Sequence, residues 1–198
     1  MTPDFFLPLL AFAIVSTASP GPNNIMLMAS GAQFGVRRTL PHMAGIGVGV
    51  MTLIFVSGLG LARIFELAPF VHSALKILAM GFLLWLAWKI ASAHAIADTP
   101  APDARPLTFW QSAAFQWINP KAWAMALTAV TVYLPDRAVG SLALATLAFG
   151  MVAVPSTSLW TVAGRQLRRL LSNPVRFRVF NWTMAALLLG TLWPILRA

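Results

Sequence analysis

A polar, helix-breaking segment interrupts the first apolar stretch of the chain, which runs from Phe5 to about Met28. Its residues are Ser19, Pro20, Gly21, Pro22, Asn23 and Asn24. Each proline removes a backbone N–H donor and frees the carbonyl oxygen four residues before it. Gly21 lets the chain bend or approach a ligand closely, and the two asparagines can cap a new helix. The segment therefore predicts a discontinuous helix whose second half begins near Asn23.

A second interruption lies in the apolar stretch from about Phe109 to Leu134. Pro120 follows Asn119 there and frees the carbonyl oxygen of Gln116. Lys121 comes next, and a lysine in an apolar stretch has several interpretations. Its ammonium can pair with a carboxylate, extend to the membrane surface or cap free carbonyls. The sequence leaves these alternatives open.

Two broken helices of this kind can bind a small zwitterion. A helix that restarts inside the chain offers unpaired N–H groups and the positive end of its dipole, which suit a carboxylate. The free carbonyls of the preceding half suit an ammonium group. An amino acid carries both groups, and other small carboxylates fit as well. Simple kinks are the competing interpretation, because proline is frequent in transmembrane helices, but buried amides favour a binding site.

The predicted substrate-binding residues belong to the two interruptions. They are Pro20, Gly21, Pro22, Asn23, Asn24, Gln116, Asn119, Pro120 and Lys121. We expect no catalytic residue, metal site or cofactor, because the sequence has no cysteine and its three histidines are scattered. Its five acidic residues fall at the ends of apolar stretches or in loops. The sequence shows no glycine-rich phosphate loop, which argues against ATP-driven transport by this chain alone.

The elements that carry both interruptions must lie in a membrane. The chain has 198 residues, of which 59% are hydrophobic and 10% are charged. A water-soluble domain has roughly 25% charged residues, and a disordered chain needs low hydrophobicity. One span with its loop takes about 25–35 residues, so the length allows six spans. The apolar runs are approximately 5–28, 40–62, 70–91, 109–134, 139–162 and 180–196.

We predict an all-α integral membrane protein whose six transmembrane helices form a single membrane domain, residues 1–198. Residues 1–96 and 107–198 are its first and second three-helix halves, with opposite topology and a broken first helix in each. Paired broken helices in inverted halves indicate a transporter's substrate site. Glycine pairs with small-xxx-small spacing, Gly31/Gly35 and Gly45/Gly49, predict close helix packing within the chain or between copies. A homo-oligomer therefore stays open.

The basic residues predict the orientation. The net charge is +9, from 14 Lys and Arg against five acids. In a soluble protein such an excess would suggest a nucleic-acid partner, but membrane proteins collect basic residues in cytoplasmic loops. Nine of them fall in the loops after the first, third and fifth runs: Arg37, Arg38, Lys89, Arg105, Arg165, Arg168, Arg169, Arg176 and Arg178. We therefore expect both termini to be periplasmic and no nucleic-acid partner. No basic residue precedes the first apolar run, so we do not expect a cleaved signal peptide.

Several motifs resemble the LysE/RhtB family of amino-acid exporters, in order and with similar spacing over nearly the whole chain. They are Ser19–Asn24 with Gly31, Gly35, Arg37 and Arg38, then Gly45–Gly49, Leu83–Lys89, Asn119–Lys121 and Leu167–Leu171. Within that family, Phe109–Ser112 and Phe115–Asn119 are most similar to the cysteine/O-acetylserine exporter branch.

The resemblance implies a multi-pass protein of the bacterial inner membrane. It would export small neutral amino acids, of the cysteine/O-acetylserine or threonine/homoserine type, at the expense of the proton gradient. Many relatives carry an acidic or histidine residue in the second span, and residues 50–53 here have none, so the coupling residue stays open. The alternatives are a non-transporting assembly or anchoring subunit, or an exporter of a different small solute. An enzyme is not expected, because convincing buried acid–base or metal residues are missing from the sequence.

Overall fold

The computed structural model describes residues 3–61, 69–92, 105–134, 138–167 and 173–190, and the regular structure within them is helical. The helices are α1 (Pro3–Ala18), α2 (Pro22–Val56) with a following π-helical turn (Ser57–Leu61), α3 (Pro69–Ala91), α4 (Phe109–Gln116), α5 (Pro120–Val132), α6 (Val139–Leu167) and α7 (Pro174–Gly190). Outside the described residues lie residues 93–104 between the third and fourth runs, residues 191–196 of the sixth run and the acids Glu66, Asp98, Asp103 and Asp136.

Helix α2 consists of two limbs, residues 22–34 and 36–56, which meet at Gly35. This residue has φ 74° and ψ 173°, a left-handed φ that favours glycine. The Ser30 and Thr39 hydroxyls lie 2.9 Å apart, whereas nine residues of straight helix would separate them by about 13 Å. The Thr39 hydroxyl also donates to the Gly35 carbonyl at 2.8 Å. The chain therefore turns back on itself at one residue, and the two limbs form a helical hairpin.

Glycines set the closest helix contacts. On the first limb of α2, the missing side chain of Gly31 makes room for the backbone of Thr161 in α6. On the second limb, Gly45 faces the Phe109 carbonyl at the start of α4. Gly49 is against α4 as well, where a Cβ would lie 2.8 Å from the Ala113 carbonyl oxygen. These contacts confirm close packing within the chain at Gly31, Gly45 and Gly49, whereas Gly35 serves the turn instead.

The helices enclose two apolar clusters and leave an apolar outer surface. One cluster joins α1, the second limb of α2, α5 and α6, and includes the fully buried Leu53 and Phe149. The other joins the first limb of α2 to α3, α4 and α7, and includes Leu83 and Phe177. Large apolar side chains also point outward along the helices: Leu7, Val15, Ile77, Trp88, Met151, Val154, Val179 and Leu187. An exposed apolar surface of this extent is typical of contact with lipid.

Two helical stretches in the described residues are long and apolar enough to cross a bilayer, Pro22–Gly60 and Val139–Leu167. The first of them contains the turn at Gly35. Buried helices of soluble proteins and signal sequences share this length and composition. The remaining apolar helices are shorter, and those at the two interruptions are short because each is one part of a broken stretch. The helices cover the first five predicted apolar runs, but the first limb of α2 continues about six residues past Met28 and α6 continues five residues past Val162.

The predicted start of the sixth run at Phe180 was wrong, because α7 begins at Pro174. The Asn173 side chain accepts hydrogen bonds from the backbone N–H groups of Val175 at 2.9 Å and Arg176 at 3.3 Å. This local cap allows the helix to start before the apolar residues do. Arg176 and Arg178 therefore lie on the exposed first turns of α7 and not in a loop.

Candidate functional site

The first predicted break lies between Ala18 and Pro22, and protein donors occupy the carbonyls it frees. The Asn24 side-chain amide donates to the carbonyl oxygens of Thr17 at 2.7 Å and Ser19 at 2.8 Å. The Trp160 indole N–H donates to the Ala18 carbonyl at 3.1 Å. Because buried carbonyls need partners, these bonds satisfy the carbonyls at the end of α1, and no ligand is needed for that.

The prediction that the asparagines cap the second half-helix was wrong. The residue at that capping position is Gly21, which supplies no side-chain hydrogen bond. The Asn24 amide points back to α1 instead, because its two N–H groups reach the carbonyls left free there. The first backbone N–H groups of α2 consequently have no side-chain cap, and they lie beside a cavity that Gly21, Asn23 and Asn24 line.

The second predicted break is the turn between Gln116 and Pro120. Helix α4 begins with a capping box between Thr108 and Gln111 and ends at Gln116. The Asn119 side-chain oxygen accepts the backbone N–H of Lys121 at 3.1 Å and so caps α5. Pro120 is the first residue of α5, where its missing N–H costs little. The Gln116 carbonyl that it frees accepts the Asn119 N–H at 3.3 Å.

A pair of side-chain amides joins the two breaks. The Asn23 amide donates to the Gln116 side-chain oxygen at 2.8 Å, and the Gln116 amide donates to the Asn23 side-chain oxygen at 3.1 Å. The Gln116 amide also donates to the Ser112 carbonyl at 2.9 Å, and its side chain is fully buried. These bonds connect residues 93 positions apart, so both interruptions belong to one site.

The Lys121 side chain crosses from the second break to the first. Its ammonium donates to the Ser19 carbonyl at 2.6 Å, the Ser19 hydroxyl at 2.9 Å and, more weakly, the Pro20 carbonyl at 3.4 Å. Of the interpretations that the sequence leaves open, the structure therefore shows the capping of free carbonyls. Gly21 makes this position possible, because a Cβ there would lie 2.8 Å from Lys121 Cδ.

A cavity lies between the two breaks, where the space open to the centre of a water molecule is about 40 Å³. That volume holds roughly three waters. Five of the nine predicted residues line it: Gly21, Asn23, Asn24, Asn119 and Lys121. The other four, Pro20, Pro22, Gln116 and Pro120, shape the breaks without lining the cavity.

The remaining lining comes from residues of four segments that the binding-site prediction missed. They are Ser16 and Thr17 at the end of α1, Ile46 and Val50 on the second limb of α2, Ala122 and Met125 on α5, and Ala153, Ser156 and Thr157 on α6. The hydroxyls beside Pro155 were a usable signal, since polar groups in an apolar helix need a partner or a cavity. Trp117 and Trp123, which flank the second break, pack edge-to-face against each other and are not part of the lining.

The lining mixes polar groups with apolar side chains and carries one kind of charge. Its ionisable member is Lys121, and no carboxylate of the described residues belongs to it. The described residues likewise hold no group of three or more His, Cys, Asp or Glu that could bind a metal ion. A cation, amides, hydroxyls and an uncapped helix start are the chemistry of anion recognition, whereas bond-breaking would require an acid–base pair or a nucleophile.

A family model establishes the class of the protein. The LysE type translocator model matches residues 14–191, which include the end of α1, both breaks and the six later helices of the described residues. The chain therefore belongs to the LysE-type translocator family, a family of transport proteins and not of enzymes. No solved structure matches the chain.

Three curated relatives of the chain share a name. A protein of Klebsiella pneumoniae is 31% identical over 191 residues, which cover 95% of each chain. Proteins of Escherichia coli strain K12 and of Shigella sonnei are 28% identical over 176 residues, 86% of this chain and 87% of theirs. All three are named cysteine/O-acetylserine efflux protein.

Proposed function

We propose that this chain exports a small neutral amino acid across the bacterial inner membrane and binds it between the two helix breaks. The observation that carries the proposal is the meeting of both breaks around one polar cavity. Relatives named for cysteine and O-acetylserine efflux support an amino acid as the substrate. The uncapped start of α2 and the Lys121 ammonium would hold its carboxylate.

The substrate's ammonium would take the place that Lys121 now holds. The Ser19 and Pro20 carbonyls form a ready ammonium site, and the lysine occupies it from the other half of the chain. A cavity for three waters is smaller than an amino acid, so binding requires Lys121 to move. Once released from these carbonyls, its ammonium would turn to the substrate carboxylate. Substrate binding would thereby break one of the ties between the two breaks.

Alternating access follows from two inverted halves that rock about this site. Packing between corresponding helices supports the arrangement: α2 packs on α6, α3 packs on α7, and the first break meets the second. Lengths agree as well. At about 1.5 Å per residue, α1 and residues 22–34 measure about 24 and 20 Å, so the break between them would lie near the middle of the membrane.

The proton gradient is the proposed driving force, and Lys121 is the residue we propose to couple it. Its charge strengthens the hydrogen bonds to Ser19 and Pro20, so loss of a proton would weaken one of the ties between the two breaks. Lys121→Arg retains the charge and should keep some export, whereas Lys121→Met should lose it. A protonophore should reduce export by the unchanged chain.

Efflux from bacteria that express the chain tests the function. Cells are loaded with dipeptides, and the medium is analysed for all amino acids and O-acetylserine. Faster release of one or two species, reduced at least about tenfold in Lys121→Met at equal membrane abundance, is the expected result. Arg165→Met, which removes an exposed cation away from the cavity, is the matched control. Unchanged release of every species by the inserted protein would refute amino-acid export and favour another solute or an anchoring role.

The predicted orientation has its own test. Arg37, Lys89, Arg105 and Arg165 are all exposed, and Phe34, Lys89 and Arg105 share one cavity, which supports a common basic end. The sequence has no cysteine, so a single introduced cysteine is the only thiol of the chain that a maleimide can label. A membrane-impermeant maleimide added to intact spheroplasts should label Gly140→Cys and not Arg37→Cys. The reverse pattern would place the basic end outside.

A further inference from the structure

A second cavity lies at the basic end of the molecule, apart from the site at the breaks. Its space open to the centre of a water molecule is about 70 Å³, room for about five waters. The first limb of α2, the end of α3 and the segment before α4 enclose it. The cations Lys89 and Arg105 belong to its lining, which includes no carboxylate from the part of the chain that the structure describes.

His42 marks the closed end of this cavity. Its side chain is 1% exposed, it lines the cavity, and neither ring nitrogen has a hydrogen-bond partner within the described residues. Buried polar atoms are nearly always bonded to protein, water or a ligand. A neutral imidazole offers one donor and one acceptor, so a polar molecule in the cavity would satisfy it.

The two cavities follow the same hairpin. On the first limb of α2, Asn24 lines the cavity at the breaks and Met26 lines the second one. On the second limb, Ile46 lines the cavity at the breaks and His42, one helical turn away, lines the second one. Along the second limb of α2, the two cavities therefore lie about 6 Å apart.

We propose that the second cavity is a vestibule that binds the carboxylate of the transported amino acid, with Lys89 and Arg105 at its rim and His42 as the buried hydrogen-bond partner. The inference rests on the proposed function, because it names the path by which that substrate arrives. A lipid phosphate could meet the two rim cations but would leave His42 without a partner, so the buried imidazole favours a small solute.

Carbon-13 NMR of the histidine rings tests the vestibule without transport. The full chain is labelled at histidine Cε1 and placed in nanodiscs of zwitterionic lipid, and the His42 signal is the one missing from His42→Gln. Acetate is the carboxylate probe, and acetamide is its neutral match. We expect acetate to shift the His42 signal saturably and acetamide to leave it in place. Arg105→Gln should raise the half-saturating acetate concentration about five- to tenfold, whereas Arg165→Gln should not change it.

Two results would overturn the vestibule. One is a His42 signal that acetate does not move. The other is a signal that phosphatidylglycerol in the nanodisc shifts without acetate, which would assign the cavity to a lipid headgroup. Efflux separates this inference from the function on which it rests. If the chain exports an amino acid but acetate does not shift the His42 signal, the vestibule alone is refuted. If acetate shifts the His42 signal but the chain exports no amino acid, the proposed function alone is refuted.

Discussion

The amide pair between Asn23 and Gln116 should couple the stability of the two breaks. Two hydrogen bonds, at 2.8 and 3.1 Å, join these side chains. Interhelical bonds in membranes contribute about 0.6 kcal/mol each and at most about 1.7, so the pair should show a coupling of about 1–2 kcal/mol. Asn23→Ala alone should cost about 2–3 kcal/mol, because it leaves the fully buried Gln116 amide partly unsatisfied.

A double-mutant cycle measures this coupling. Asn23→Ala, Gln116→Ala and the double variant are purified, and the free energy of unfolding of each is obtained by denaturant titration. Gln111→Ala is the control partner, because Gln111 lies on the same helix but bonds only to its own cap. Its cycle with Asn23→Ala should give no coupling. A coupling below about 0.3 kcal/mol for Asn23 and Gln116 would lie within ordinary additivity error and would refute the inference that these bonds tie the breaks together.

Three substitutions test other contacts. Gly21→Ala places a Cβ 2.8 Å from Lys121 Cδ and should lower export at unchanged membrane abundance. Gly140→Ala, with open space around it, should export normally. Equal export by both variants would show that Lys121 need not occupy its present position. Gly45→Ala should destabilise the chain by about 1–3 kcal/mol, because the new Cβ would overlap the Phe109 carbonyl. Gly47→Ala should not lower the melting temperature, because its Cβ would make an ordinary 3.7 Å contact with Ala153. Equal melting temperatures of the two variants would contradict the packing at Gly45. Asn24→Leu should reduce folded protein in the membrane, because the Thr17 and Ser19 carbonyls lose a donor, and normal abundance would show that these bonds contribute little.

Both helix breaks could be predicted from the sequence because proline acts locally. Its missing N–H and fixed φ favour the end or start of a helix, most strongly after a glycine or a capping residue, and the structure breaks within residues 19–21 and 117–119 as expected. Pro41 and Pro155, which no such residue precedes, lie inside helices. The helical runs followed from hydropathy for the same reason. The start of α7 was missed because the cap at Asn173 depends on a polar residue and not on hydropathy.

The partners of the polar groups could not be predicted from the sequence, because distant segments decide them. The sequence predicted that Asn24 caps α2. In the structure its amide bonds to carbonyls at the end of α1 instead, because those carbonyls lie within reach. The sequence left three interpretations of Lys121 open. The structure selects the capping of carbonyls, because Ser19, which is 102 residues away in the chain, lies beside its ammonium. Ser156 and Thr157 reach the cavity only because Gly31 and Gly164 let α6 come close to the first limb of α2.

The turn at Gly35 has a consequence for how the protein enters its membrane. The limb before it has 13 residues, about 20 Å of helix, and α1 has 16 residues, about 24 Å. Neither segment alone covers a hydrocarbon core of about 30 Å. The second limb of α2, residues 36–56 with about 32 Å of helix, is the first continuous helical segment long enough to cover it. We therefore expect α1 and both limbs of α2 to be held at the translocon until Val56 has been synthesised, and to enter the lipid together as one folded hairpin.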